Sequence, residues 1–240
     1  MVSTATDETT TDARVRMILV AERLFAEHGI EGVSLRRIGL EAGQRFKSAP
    51  QYYFGDRANL VAEVLAYRQA SINARREALL AELERDGRLG DLPALMEALV
   101  RPLAELVGTD AAPYLGFLAS LSRHRQTEGF LTETRDRAAN KRYFVVAPGR
   151  PHTSGAVRIM ALVGEQLAHL DAADAHNRMA LLEVMVIFGL SQTGRLVSDS
   201  PLPPDEAVAS FVDSLVHSLA TILGAAPTEH PEPRRSSDGH

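Results

Sequence analysis

The chain has 240 residues, 45% of them hydrophobic, which is enough to bury a sizeable core. It contains no cysteine, so disulfides, thiolate zinc sites and thiol-based redox sensing are excluded. The net charge of −5 disfavours a protein that coats nucleic acid indiscriminately, but a local basic surface remains compatible with specific DNA binding.

The first predicted helix follows a polar N-terminal segment. Residues 1–10 are polar and acidic, so they cannot form the apolar part of a signal peptide, and we predict a disordered arm there. Thr11 or Asp12 is predicted to cap a helix that ends near His28. Gly29 follows, as the residue best able to adopt the left-handed conformation that ends many helices.

The stretch from Ser34 to Phe54 organises the N-terminal unit. Ser34 is a good N-cap for a second helix, and Ala42-Gly43 provides a small residue followed by one that tolerates positive φ. A third, short helix then ends at Phe54. The two short helices, the glycine-bearing turn and five basic residues against two acidic ones between positions 34 and 57 predict a DNA-binding helix-turn-helix. Spacing alone leaves open a helical hairpin whose basic face is simply solvated.

The rest of the chain predicts further helices and no strand pattern. Helices are predicted at about 57–85, 91–107, 112–126, 127–147, 154–171, 177–197 and 205–223. Pro102 is expected to kink the helix that contains it. Residues 225–240, with three prolines, predict a disordered tail. The predicted fold class is all-α, with a three-helix DNA-binding domain at 11–56 and a larger helical domain at 57–224.

The longest apolar run, residues 179–190, bears on membrane insertion. It contains Glu183 and is too short to span a bilayer, so we expect no membrane partner and a cytoplasmic location. A helix that is apolar nearly all round must be covered on several sides. Either the core of a monomer or a second subunit can provide that cover.

Residues 12–62 resemble the N-terminal signature of the TetR family of transcriptional regulators. The resemblance is carried by Ile18, Leu24, Phe25, Gly29, Ser34, Ile38, Ala42, Gly43, Tyr52, Tyr53, Phe54, Gly55, Asp56, Arg57 and Leu60. Three features depart from the family pattern: Gly39 stands where alanine is usual, the turn after Gly43 is one residue longer, and Pro50 replaces a buried Leu or Val. Because proline is tolerated only in a first turn, Ser48 is the predicted N-cap of a very short third helix.

The resemblance implies a homodimeric, ligand-responsive transcriptional repressor. Its partners would be double-stranded operator DNA and a small apolar effector that releases the DNA, with no cofactor. The domain at 57–224 would then bind the effector and provide dimerisation, because the last two long helices of the family commonly form a four-helix bundle across a two-fold axis. A symmetric dimer also supplies the two half-site contacts that such a DNA reader needs.

The segment 44–53 is expected to enter the major groove. The residues expected to contact DNA are Ser34, Arg36, Arg45, Lys47, Ser48, Ala49, Gln51, Tyr52 and Tyr53. Arg45 and Lys47 are long donors for guanine O6 and N7, although the longer turn leaves open which of them reaches the base. Gln51 can pair with adenine. Ser48 and Ala49 permit close approach and contact with a thymine methyl.

The remaining residues of this set are expected to contact the DNA backbone. Ser34 and Arg36, at the start of the second helix, would hold phosphates through amide and guanidinium groups. By resemblance to the tyrosine-rich helix end of the family, Tyr52 and Tyr53 anchor a phosphate or pack against the body of the protein.

Aromatic and polar side chains on the middle helices are candidates for an effector site, because helix bundles place small-molecule sites between helices. The candidates are Tyr67, Tyr114, Phe117, His124, Phe130, Gln166 and His169. The alternative for each aromatic residue is an ordinary place in the core, and for each polar residue an exposed or internally bonded position.

Catalytic and metal-binding patterns are not recognisable in the sequence. It has neither an HExxH nor a GxSxG motif, and no glycine-rich phosphate loop after a strand. We therefore expect no metal and no enzymatic activity. The competing interpretation is an all-α enzyme or a lipid or small-molecule carrier with an incidental helical hairpin.

Overall fold

The computed structural model describes residues 3–131 and 154–227. The helices of these residues are α1 Ser3–His28, α2 Leu35–Glu41, α3 Ala49–Phe54, α4 Arg57–Arg85, α5 Leu92–Ala104, α6 Pro113–Leu131, α7 Ser154–Gln166, α8 Ala172–Ser198 and α9 Pro204–Gly224. In this part of the chain every regular element is an α-helix, which confirms the predicted all-α class.

Several helix boundaries differ from the predicted ones. Helix α1 begins at Ser3 rather than at Thr11 or Asp12, because no glycine or proline interrupts the residues in between. Helix α6 continues through Thr127, where a separate helix was predicted, and ends at Leu131. The rest of that predicted helix, to position 147, and the tail from position 228 onward lie outside the described residues.

Helix α8 also begins earlier than predicted, at Ala172 rather than at residue 177. Its N-cap is Asp171, whose Oδ1 accepts the backbone N–H groups of Ala173 and Asp174, both at 2.9 Å. Helix α7 accordingly ends at Gln166 instead of near residue 171. A carboxylate that satisfies two free amides at a helix start is a strong cap, and it fixes the boundary here.

The first three helices pack around a core that continues into the body of the protein. Phe25 of α1, Ile38 of α2, Phe54 of α3 and Leu60 of α4 all belong to one buried cluster. Helix α1 packs on α4 and α6, and α4 packs in turn on α5 and α7. Helix α4 has 29 residues and therefore links the N-terminal unit to the body as one continuous element.

A buried ion pair strengthens this link between α1 and α4. Glu22 of α1 is only 1% exposed, and it accepts two hydrogen bonds from Arg68 of α4, at 2.8 and 2.9 Å. Hydrogen bonding to Glu22 raises the pKa of the Arg68 guanidinium. A two-bond arginine–carboxylate contact also fixes the relative orientation of the two helices.

Helices α8 and α9 pack against each other, and α9 covers α5. Arg178 of α8 is 5% exposed and fully bonded: it donates to Asp174 at 2.9 Å and to the backbone carbonyls of Leu223 and Ala225 at the end of α9. The guanidinium therefore caps the C-terminus of α9, where free carbonyls and the helix dipole favour a cation.

One face of α8 is apolar and exposed. Leu181, Val184 and Leu196 are 48%, 41% and 45% exposed. By length and composition alone α8 and α9 are apolar enough to cross a bilayer, yet only 28% and 33% of their most apolar windows are buried. The described chain therefore leaves much of these two helices uncovered.

Candidate nucleic-acid interface and internal cavity

Helix α2 is closed at both ends by the residues that the sequence predicts. Ser34 is the N-cap of α2, and its Oγ accepts a backbone N–H at 3.2 Å. Gly43 has φ of 70° and donates to the carbonyl of Leu40 at 3.1 Å, while Gln44 donates to the carbonyl of Gly39 at 2.9 Å. This pair of bonds is a Schellman motif, which needs a residue that tolerates positive φ at position 43.

Helix α3 is short, with only six residues. Ser48 is its N-cap residue, as predicted, but makes no side-chain hydrogen bond, and Pro50 lies in the first turn, where no N–H is needed. Gly55, with φ of 75°, ends the helix. Asp56 then caps α4 by accepting the N–H of Asn59 at 2.7 Å.

Two departures from the family pattern form a single contact. A Cβ atom at Gly39 would lie 2.9 Å from Cγ and 3.0 Å from Cδ of Pro50. Both residues are buried where α2 and α3 cross. The proline ring therefore occupies the space that an alanine at position 39 would need, and the two departures compensate for each other.

One acidic side chain of the unit, Glu41, holds two arginines. Arg37 donates to Glu41 Oε1 at 2.9 Å, and Arg23 of α1 donates to Oε2 at 2.7 Å. Hydrogen bonds from Arg37 and then from Arg23 lower the pKa of the Glu41 carboxyl. Arg37 is thus engaged within the unit and is poorly placed to contact a phosphate.

Three other cations of the unit are exposed and have no carboxylate partner in the described chain. They are Arg36 on α2 and Arg45 and Lys47 in the turn. Arg57, in contrast, is paired with Glu31. The free cations are therefore the same three that the sequence predicted as DNA contacts, and the two basic residues it did not choose are bonded internally.

The predicted contact residues of α3 and its preceding turn are mostly accessible to solvent. Ser48 and Gln51 are exposed, and Tyr52 is 84% exposed with its ring edge on Tyr53 at 5.4 Å. Tyr53 is half-buried and packs against the core, which agrees with the second of its two expected roles. Ala49 is half-buried against the same core.

One residue of this surface was missed by sequence reasoning. Phe46 lies in the turn between Arg45 and Lys47 and is 77% exposed. A large apolar side chain between two cations in a turn has no helical face to join. That pattern indicates an exposed side chain that is available for contact with DNA. An exposed ring there can contact a thymine methyl group.

A cavity of about 380 Å³ lies between α4, α5, α6, α7 and α8. Its lining residues are Gln69, Arg76, Leu99, Leu103, Leu118, Ala156, Met160, His176, Met179, Ala180, Leu182, Glu183, Val186 and Ile187. The volume falls within the range of small-molecule sites, about 300–1,000 Å³, and the lining is mainly apolar, as such sites usually are.

Arg76 is the most deeply buried charged residue of this lining. It is 4% exposed, and its Nη2 donates to the carbonyl of Leu99 at 3.1 Å. Its Nη1 lies 3.4 Å from Asn73 Oδ1, while its Nε has no hydrogen-bond partner among the described residues. Burial lowers the pKa of the Arg76 guanidinium to about 10, so it remains a cation at neutral pH.

Solved structures similar to this chain include two transcriptional regulators. One is a TetR-family transcriptional regulator from Mesorhizobium loti, 16% identical, with 89% of this chain and 97% of that chain covered at a TM-score of 0.46. The other is the TetR family transcriptional regulator PfmR from Thermus thermophilus, 19% identical, with 84% and 97% covered at a TM-score of 0.44. Both are regulators of the family that the N-terminal motif resembles. No family model and no curated protein match the sequence.

The predicted effector residues do not line the cavity. Tyr67 is 41% exposed, with the Arg68 guanidinium over its ring. Tyr114 and Phe117 are fully buried in the core; Tyr114 accepts a hydrogen bond from Gln69 at 2.9 Å, and the Phe117 ring packs on Phe25. These two aromatic residues hold α6 in place and leave the cavity wall to smaller aliphatic side chains.

The polar candidates are also placed elsewhere. His124 lies 3.8 Å from Glu31, close to the N-terminal unit, and Gln166 lies at the end of α7 near Gly90. His169 is exposed in the turn before α8. The Phe130 side chain lies outside the described residues. In residues 3–131 and 154–227, no three His, Asp or Glu side chains are grouped as metal ligands would be.

Proposed function

We propose that the protein is a homodimeric transcriptional regulator that binds operator DNA through α2 and α3 and is released by a small molecule. The observation that carries this proposal is the separation of charges in the N-terminal unit. Arg36, Arg45 and Lys47 are exposed and unpaired in the described chain on a surface rigidly positioned by caps and by a Schellman turn. Unpaired cations on a rigid helical unit are what specific phosphate and base contacts require.

In this proposal the residues of the surface have distinct roles. Arg45, Lys47 and Gln51 read base edges in the major groove, and Phe46 contacts thymine methyls. Arg36 holds a phosphate, together with the free amides at the start of α2. A negative overall charge fits this arrangement, since the three free cations lie within positions 36–47 and the net charge of −5 is that of the whole chain.

The proposed dimer rests on the exposed apolar face of α8. Leu181 and Val184 lie three residues apart and are about half exposed in the described chain, so a second copy that covers them would bury apolar area from both subunits. A membrane is a poor alternative cover, because α8 carries Arg178 and Glu183 within the same stretch. We place the protein in the cytoplasm as a repressor.

Selection of bound sequences from a random DNA pool tests the proposed function. Lys47→Ala or Gln51→Ala should relax the preference at particular base pairs, at a cost of about 1–3 kcal/mol each. Arg36→Ala should weaken binding to all sequences alike and make its salt dependence shallower. Arg57→Ala is the matched control, because that arginine is paired with Glu31 and should not change base preference.

Two results would contradict the proposal. In the first, the wild type selects no sequence at all from the pool. In the second, substitutions at Arg45, Lys47 and Gln51 leave the selected sequence unchanged. The first result would favour the carrier interpretation, since the internal cavity would then be the main site of function. The second would move the reading surface away from α3 and its preceding turn.

A further inference from the structure

We infer that the cavity between α4, α5, α6, α7 and α8 takes an apolar molecule with one acidic group, and that Arg76 is the partner of that group. The inference rests on the proposed function and deepens it, because it names the chemical class of the effector. It starts from a side chain that the helix-turn-helix does not use and that the packing of the core does not explain.

The bonding of Arg76 is incomplete. A guanidinium has five N–H donors, and a buried one is stable only if most of them are bonded and the charge is compensated. Arg76 has one carbonyl, from Leu99, one long contact to Asn73 and an unbonded Nε. No carboxylate of the described chain pairs with it. A buried cation in this state is costly for the protein by itself.

Two other buried or half-buried arginines of the protein are compensated. Arg178 has the carboxylate of Asp174 and several carbonyls, and Arg68 has both oxygens of Glu22. The fold thus supplies a carboxylate where an arginine serves structure. Arg76 lines the cavity instead, and the cavity is the side from which an anion can reach it.

The rest of the lining selects for an apolar body. Leu99, Leu118, Met160 and Ile187 are among its side chains, and Gln69 is already bonded to Tyr114. Because a water-sized group takes about 30 Å³, the volume of about 380 Å³ holds roughly a dozen non-hydrogen atoms. An acid of about that size would place its carboxylate on the guanidinium and its body among the aliphatic side chains.

Other charges at the cavity are less suited to hold the ligand. Glu183 is half-exposed and already interacts with another group, and His176 is exposed. Solvent screens both, whereas Arg76 is shielded from water. A ligand cation at Glu183 would gain less from the cavity than a ligand anion at Arg76.

Calorimetric titration of the full chain without DNA tests the inference. The probes are two acids, each with its matched alcohol: decanoate with decanol, and phenylpropanoate with phenylpropanol. We expect at least one acid to bind about tenfold or more tightly than its alcohol, as a charge-assisted hydrogen bond implies. The preference should vanish in Arg76→Met. It should persist in Arg75→Met, since Arg75 is the exposed neighbour on the same helix.

The inference is overturned if neither acid binds to the wild type more tightly than its matched alcohol. That comparison needs no variant. Persistence of the preference in Arg76→Met would also overturn it. Circular dichroism should show that Arg76→Met melts at or above the temperature of the wild type, because an uncompensated buried cation has been removed.

Fluorescence anisotropy with the selected operator separates this inference from the proposed function. Acid binding without any DNA binding would contradict the proposed function and leave the ligand class standing. DNA binding without a preference for the acid would contradict the ligand class and leave the proposed function standing. A bound acid that leaves the DNA affinity unchanged would overturn its role as effector.

Discussion

Replacing Gly39 with alanine tests the crossing of α2 and α3. Alanine favours a helix over glycine by about 1 kcal/mol, so propensity alone predicts a more stable protein. The new Cβ, however, would lie 2.9 Å from Pro50 Cγ, well inside the usual carbon–carbon separation of about 3.5–4.0 Å. The proline ring is bonded to the backbone of α3, so the clash can be relieved only if α3 moves.

The expected magnitude follows from these two opposing effects. Overpacking of a buried site costs about 1–3 kcal/mol, and the gain in propensity offsets about 1 kcal/mol of it. Gly39→Ala should therefore lower the free energy of unfolding by about 0–2 kcal/mol. The Pro50→Ala variant lacks the ring carbons, so adding Gly39→Ala to it should raise the free energy of unfolding relative to Pro50→Ala alone. The double-mutant cycle should show a coupling of about 1–3 kcal/mol.

Urea unfolding of the four proteins gives the coupling, and anisotropy with operator DNA reports the displacement of α3. Gly164→Ala in α7 is the matched control, because no atom outside its own helix lies within 4 Å of the new Cβ. Gly164→Ala should raise the free energy of unfolding only by the difference in helix propensity between alanine and glycine. If Gly39→Ala stabilises as much as this control, or if the cycle is additive, the compensating contact between positions 39 and 50 does not exist.

Three other substitutions probe separate parts of the molecule. Val184→Arg should convert a dimer into a monomer in sedimentation experiments, whereas an arginine at an exposed polar position of the same helix should not. Arg178→Met should lower the free energy of unfolding by about 3–5 kcal/mol in urea titrations, since it breaks the buried ion pair with Asp174 and removes the donor that bonds the carbonyls at the end of α9. Hydrogen bonds from Arg37 and Arg23 lower the pKa of Glu41, so their stabilisation is present above the ordinary carboxylate pKa and is lost as pH falls through the lowered one. Glu41→Gln should therefore flatten the acid side of the stability–pH curve.

The sequence predicted those features of the N-terminal unit that depend on local chemistry. The cap at Ser34 and the positive φ of Gly43 follow from residue type and spacing, and the structure confirms both. The relation between Gly39 and Pro50 did not follow, because it depends on how closely α2 and α3 approach each other. Their compensation is a contact between two helices, and a single sequence does not display such contacts.

The cavity is a second feature that a single sequence could not predict, because it is formed by contacts between helices. Its lining comes from five helices, and choosing large aromatic side chains selected residues such as Phe117, which fill the core. The decisive residue, Arg76, looked like one of many helical arginines. Its burial depends on the close approach of α7, where a Cβ at Gly155 would lie 2.8 Å from the Arg76 side chain. Burial of this kind is set by tertiary packing and not by local pattern.

Because α4 is long, a small tilt at one end of the helix produces a large displacement at the other end. Arg76 lies about five turns from the start of the helix at Arg57, which corresponds to roughly 28 Å along the axis. A tilt of about 5° at the cavity would therefore move the other end of α4 by about 2.5 Å. In a dimer both subunits would tilt, and the spacing between the two copies of α3 would change by up to twice that distance. Base contacts tolerate only a fraction of such a shift, so under the proposed function a tilt of this size would be enough to separate the protein from its operator.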